Sequence, residues 1–120
     1  ERAGDRMGLA MIREIYADRA YADSGNLVPR SAEGAVIHDP RQATSHVMGM
    51  IDDGAIRCLS GMRIPAAIDK GCVHGDTPGA VALAGALRSG LEARGIAIRP
   101  MAEILASRPA ARPGGSERVA

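Results

Sequence analysis

Two tyrosines are the whole aromatic content of this chain, which has no phenylalanine and no tryptophan in 120 residues. A folded core must therefore be assembled from Ala, Val, Ile, Leu and Met, without the large buried area that rings contribute. The hydrophobic fraction, 46%, is still that of a folding chain and not of a disordered one. So few rings also argue against readers of single-stranded nucleic acid, which stack bases on aromatic platforms. Charge points the same way. Fifteen basic residues, all but one of them Arg, oppose 14 acidic ones for a net +1. The basic surplus lies from residue 94 onward, so the body carries no broad footprint for nucleic acid. No apolar run approaches the roughly 20 residues of a membrane span. The expectation is a chain with neither a nucleic-acid nor a membrane partner.

Cys58 and Cys72 lack the spacing of a zinc site or a disulfide framework, and no charged-then-apolar leader opens the sequence. The expectation from these features is a reducing cytoplasm, with free thiols and no assigned metal. It begins at Glu1 and not at Met, as a part of a longer reading frame would.

The pattern along the chain alternates strands and helices. Asp5–Met7 reads as a last helical turn stopped by Gly8, and residues 9–16 (LAMIREIY) read as a buried strand. A long loop follows from Ala20 to Asp39, a length that in a compact domain is usually functional. Asp39 is a natural N-cap with Pro40 at N1, and Ala43, Val47, Met50 and Ile51 form one stripe of a helix that Gly54 ends. Residues 55–59 and 62–66 flank Ser60-Gly61 as a small hairpin, its second arm kept at an edge by Pro65. A short strand over Lys70–His74 leads to a second helix starting near Pro78, with Leu83, Leu87 and Leu91 in its stripe and Gly95 as its stop. Residues 96–98 read as the start of another strand, and 100–120 as a disordered basic tail. This is α/β grammar, with too few strands for a complete parallel sheet covered on both faces.

Two segments carry chemistry. In Cys72-Val73-His74-Gly75-Asp76-Thr77-Pro78, a His and an Asp flank a Gly where a strand gives way to a helix, the end of an α/β strand at which ligand-facing residues gather. His74 suits a general base or a metal ligand. The same spacing fits a plain helix cap at Asp76 or Thr77 beside a half-buried turn histidine. In Glu14-Ile15-Tyr16-Ala17-Asp18-Arg19, two carboxylates lie where a strand feeds the long loop, and Arg19 or Arg30 suits a bidentate carboxylate contact. A solvated ion-pair cluster pinning the loop fits that pattern as well. His38 and His46 read as a loop residue and a helix boundary residue. No P-loop, GxGxxG or HExxH pattern is present.

The blocks EIYADRAY, LVPRS, GAVIHDP, MGMIDDGAIRCLSG and CVHGDTPGAVALAGALRSGLEARGI occur in that order, and together they resemble the LamB/YcsF family. The similarity runs from about Gly8 to Ile98. It implies that residues 1–99 are the C-terminal part of a (β/α) barrel-like fold of the glycoside hydrolase/deacetylase type, incomplete on its own. It further implies the A subunit of an ATP-dependent 5-oxoprolinase, working with subunits B and C to open 5-oxo-L-proline to L-glutamate with ATP hydrolysis. The family's shared polar positions fall on Glu14, Asp18, Arg19, Tyr21, Arg30, Asp39, His74 and Asp76. Of these, Glu14, Asp18, His74 and Asp76 are expected at the catalytic site, and Arg19 and Arg30 at substrate. Asp69-Lys70-Gly71 stands where the family has an apolar approach to the Cys-Val-His-Gly-Asp strand, and the family's N-terminal motifs do not occur. The alternative expectation is a truncated, non-catalytic remnant or interaction module of the same family. On either reading the isolated chain is expected to be marginally stable and to show no 5-oxoproline-dependent ATP hydrolysis.

Overall fold

A computed structural model describes residues 2–76 and 78–108. It is a mixed α/β chain whose described residues divide into two units. The larger spans Arg13–Ile98, and the other is drawn from the described residues among 1–12 and 99–120. No helix among the described residues is long and apolar enough to cross a membrane.

In the larger unit, strand β1 (Glu14–Tyr16) pairs in parallel with β4 (Lys70–Cys72), Tyr16 lying opposite Cys72. Between them in sequence come helix α2 (Pro40–Asp53) and the antiparallel hairpin β2 (Ala55–Arg57) and β3 (Arg63–Pro65). Helix α3 (Ala80–Ala93) follows β4. Side chains alternate across β1, so Ile15 and Ala17 enter the core while Glu14, Tyr16 and Asp18 share the other face. The core joins Ile15, Ala17 and Tyr21 to Ala43, Val47 and Met50 of α2 and to Leu83 and Leu87 of α3. As the missing rings require, Met50 is among its largest fully buried side chains.

Helix α2 forms where local signals place it. The Asp39 carboxylate accepts from Arg41 N–H at 2.8 Å, Pro40 occupies N1, and Gly54 closes the helix at φ 58°, bonding back to Ile51 and Met50. The long loop is ordered and has its own small core of Ala20, Val28 and Ala35. It is tied by Ala20 N–H to Ala35 O and Val28 N–H to Ala20 O. It also meets the hairpin, where Leu59 N–H donates to Tyr21 O at 2.8 Å.

Several expected elements are corrected. The strand expected over 9–16 is only Glu14–Tyr16, because its one ladder partner among the described residues, β4, is three residues long. Residues 96–98 form no strand. Instead Ile96 N–H turns back to Leu91 O across Gly95 at φ 76°, ending α3 in a Schellman arrangement. Helix α3 begins at Ala80 behind Gly79 at φ 82°, so Pro78 precedes the helix and Asp76 does not cap it. Thr77, the other expected cap, lies outside the described residues.

In the second unit, helix α1 (Arg2–Arg6) precedes Gly8, and helix α4 (Met101–Ala106) lies inside the stretch expected to be a disordered tail. Its apolar Met101, Ile104 and Leu105 fall at helical spacing, which explains the turn and a half formed there. The remainder of that expected tail, residues 109–120, lies outside the described residues.

Candidate active site

Because Tyr16 and Cys72 are register partners, the residues two further along each chain come together past the ends of the strands. The ladder continues by one bond, Ala17 N–H to Cys72 O at 2.9 Å. Beyond it, His74 N–H donates to a side chain, Asp18 Oδ2, at 3.2 Å. The same carboxylate takes the imidazole, with His74 Nδ1 2.8 Å from Oδ1 and 3.0 Å from Oδ2. Asp18 is 1% exposed, and a buried carboxylate requires such partners. An ionised carboxylate only accepts, so Nδ1 is the nitrogen that carries a proton here, and in the neutral imidazole Nε2 is then the one with a free lone pair. The His74 side chain is 23% exposed, open enough for a ligand to meet it.

The alternation on this face of the sheet supplies more. Glu14 lies opposite Lys70 and pairs with it at 2.5 Å. The Tyr16 ring stacks on the His74 imidazole, centroids 5.3 Å apart and planes 9° from parallel. Cys72 sits among these charges, and its thiol is pushed up by burial first and by Glu14 next. Tyr21 is buried below, its phenolic oxygen accepting from Tyr16 N–H at 2.8 Å. Burial pushes that phenol up as well.

Of the residues expected at the site, Asp18 and His74 are brought into direct contact. Glu14 faces Lys70. Asp76 and Arg30 form a loose exposed pair at 3.8 Å, of a kind that contributes little to stability. Arg19 is buried and donates from Nη2 to Val28 O at 2.8 Å, so its guanidinium ties the long loop. Asp39 is occupied as the cap of α2. Tyr16, Lys70 and Cys72 were not expected at the site. Their signal was the matched spacing of Glu14, Tyr16, Asp18 and Lys70, Cys72, His74, polar or reactive groups at every second position of two strands.

Comparison with known proteins gives the family. The profile of the LamB/YcsF family matches residues 1–106, and the chain belongs to that family. The A subunit of a 5-oxoprolinase from Rhodopseudomonas palustris (strain BisB5) is 49% identical over 100 residues, covering 83% of this chain and 39% of the relative. That of Gluconobacter oxydans is 46% identical over 101 residues, covering 84% and 40%. Among solved structures, a lactam utilization protein from Thermus thermophilus matches with a TM-score of 0.72 and 34% identity, over 82% of this chain and 38% of that one. The chain thus spans about two fifths of the length of the curated relatives it matches.

Proposed function

We propose that this chain is part of the A subunit of an ATP-dependent 5-oxoprolinase, a cytoplasmic enzyme that opens 5-oxo-L-proline to L-glutamate with subunits B and C. The observation that carries the reading is the Asp18–His74 pair at the ends of two parallel strands, in a chain whose relatives are named for this activity. In this reading β1 and β4 belong to a (β/α) barrel-like fold, with the pair at its carboxyl-end face, where such folds gather their chemistry.

The substrate is a cyclic amide, and opening it requires proton movements that a fixed imidazole can perform. With Nδ1–H held by Asp18, Nε2 of His74 accepts a proton from the attacking water and returns it to the leaving nitrogen. Asp18 steadies the imidazolium formed between these steps. ATP, the second substrate, supplies the driving force for breaking a stable amide. Arg30, about half exposed and only loosely held by Asp76, is the guanidinium this site offers to an anionic group. Arg19 supports the loop that carries Arg30, through its bond to Val28 O. Glu14, balanced by Lys70, and Asp76 set the charge around the imidazole.

A chimera tests this reading. This chain's sequence replaces the hundred matching residues in the A subunit from R. palustris, and 5-oxoproline-dependent ADP release is measured with that enzyme's other subunits. Turnover that survives the exchange and is lost on His74→Ala and Asp18→Asn is the expected result. A folded chimera without turnover would favour the non-catalytic reading.

A further inference from the structure

We propose that Tyr16 is a positioning residue of this site: its ring, stacked on His74, sets the plane of the imidazole and so the direction in which Nε2 points. The inference rests on the reading of Asp18 and His74 as the working pair. Asp18 holds His74 at one end only, through Nδ1 and the backbone N–H. Contacts confined to that end leave the ring free to tilt about it, and Nε2, at the far side, would sweep the widest arc. An offset-stacked face restricts that freedom, because tilting would break the contact where the two rings overlap. The planes lie 9° from parallel, as such a support requires.

Tyr16 is itself well anchored. Its backbone is fixed by the ladder to Cys72 and by its N–H bond to the phenolic oxygen of Tyr21, which is 4% exposed. One buried tyrosine thus holds the strand end that carries the other. The charged and titratable groups sharing this face are Asp18, Glu14, Lys70 and Cys72. None of them stacks on the imidazole. A carboxylate orients one nitrogen, and an aromatic face orients the plane. Displacement of a reacting atom by a fraction of an ångström suffices to slow a proton transfer.

The test uses the 120-residue chain labelled with nitrogen-15, with no substrate present. Long-range proton–nitrogen spectra of wild type should show one His74 tautomer, protonated at Nδ1, with ring protons upfield of their random-coil positions. Tyr16→Phe keeps the ring and should leave both features in place. Tyr16→Leu should speed solvent exchange of the Nδ1 proton by about tenfold or more. In the chimera, Tyr16→Leu should lower kcat by about tenfold at unchanged KM, with Tyr16→Phe restoring it. Unchanged Nδ1–H exchange in a folded Tyr16→Leu overturns the proposal, as does a Tyr16→Phe that behaves like Tyr16→Leu. Random-coil ring shifts for His74 in wild type whose amide spectrum is that of a folded chain, or in the folded chimera, overturn it without any variant, which covers a Tyr16→Leu that does not fold. An inactive chimera beside a protected Nδ1–H would remove the oxoprolinase reading and leave the role of Tyr16 standing.

Discussion

Gly90 of α3 faces Thr44 of α2 so closely that a β-carbon on the glycine would stand 2.8 Å from the threonine Cγ2. The methyl cannot easily yield, because Thr44 Oγ1 is bonded to Pro40 O at 2.8 Å and the side chain is branched at Cβ. Met48 Cε, at 3.3 Å, closes the other side. Replacing Gly90 with Ala gains about 1 kcal/mol of helix propensity but incurs about 1–3 kcal/mol of overpacking. Gly85 of the same helix has nothing within 4 Å of an added β-carbon. Urea unfolding should therefore show Gly90→Ala less stable than wild type and Gly85→Ala more stable by up to about 1 kcal/mol. Equal shifts for the two variants would mean that the helices do not meet at Gly90.

His46 gives the larger unit a pH-dependent stability. It lies on α2 stacked against Tyr21, and its Nε2 is buried with no hydrogen-bond partner among the described residues. Burial is the main cause that lowers its pKa; the Arg19 backbone opposes this and the Arg57 charge adds to it. An unfolded histidine takes up its proton near pH 6.5, before the folded one does. The contribution of neutral His46 is therefore complete above about pH 6.5 and is lost as the pH falls below it. Subtracting the unfolding free energy of His46→Gln from that of wild type isolates this term. The difference should shrink between about pH 7.5 and about pH 5. A pH-independent difference would contradict it.

How far these features were legible depends on whether the deciding contact is local. The ends of α2 are local, written in Asp39-Pro40 and Gly54, and the helix forms where they stand. The length of β1 is not. An apolar run sets what a strand can be, whereas its partner sets how much of it pairs, and β4 offers three residues. Ile96 shows the same limit, since its amide closes the end of α3 and cannot join a ladder. At the site, Asp18 and His74 are 56 residues apart, and spacing alone left each with an ordinary alternative. The family resemblance selected both. The pairing of Glu14 with Lys70 and of Tyr16 with His74 depends on register, which neither strand specifies by itself.

The two cysteines should be slow nucleophiles. Burial pushes the Cys58 thiol up, and its Sγ donates to Ala22 O at 3.4 Å. Cys72 is pushed up by burial, with Glu14 adding and Lys70 opposing. At neutral pH each should react with iodoacetamide more slowly than a free thiol. Glu14→Gln removes a repelling charge and frees the Lys70 ammonium, so it should speed Cys72; Lys70→Gln should slow it. Mass spectrometry of the alkylated peptides reads each site separately. Fast labelling of Cys72 in wild type would show that the strand face is open to solvent.

The contact between Asp18 and His74 makes the most specific stability prediction. His74→Ala leaves a carboxylate that is 1% exposed with a backbone amide and no imidazole. Removing one hydrogen-bond partner from a buried carboxylate leaves it under-satisfied and costs about 1–3 kcal/mol. The low end applies here, because His74 is 23% exposed and its deletion admits water to the carboxylate. Asp18→Asn preserves the shape and removes the buried charge, so the demand for a proton donor at position 74 falls. The double variant Asp18→Asn/His74→Ala should therefore be more stable than His74→Ala alone. In a double-mutant cycle of urea unfolding, the coupling should be about 1–3 kcal/mol in that sense. Additive losses would mean that the two side chains do not interact in solution, and the role proposed for Asp18 in orienting His74 would fall with the coupling.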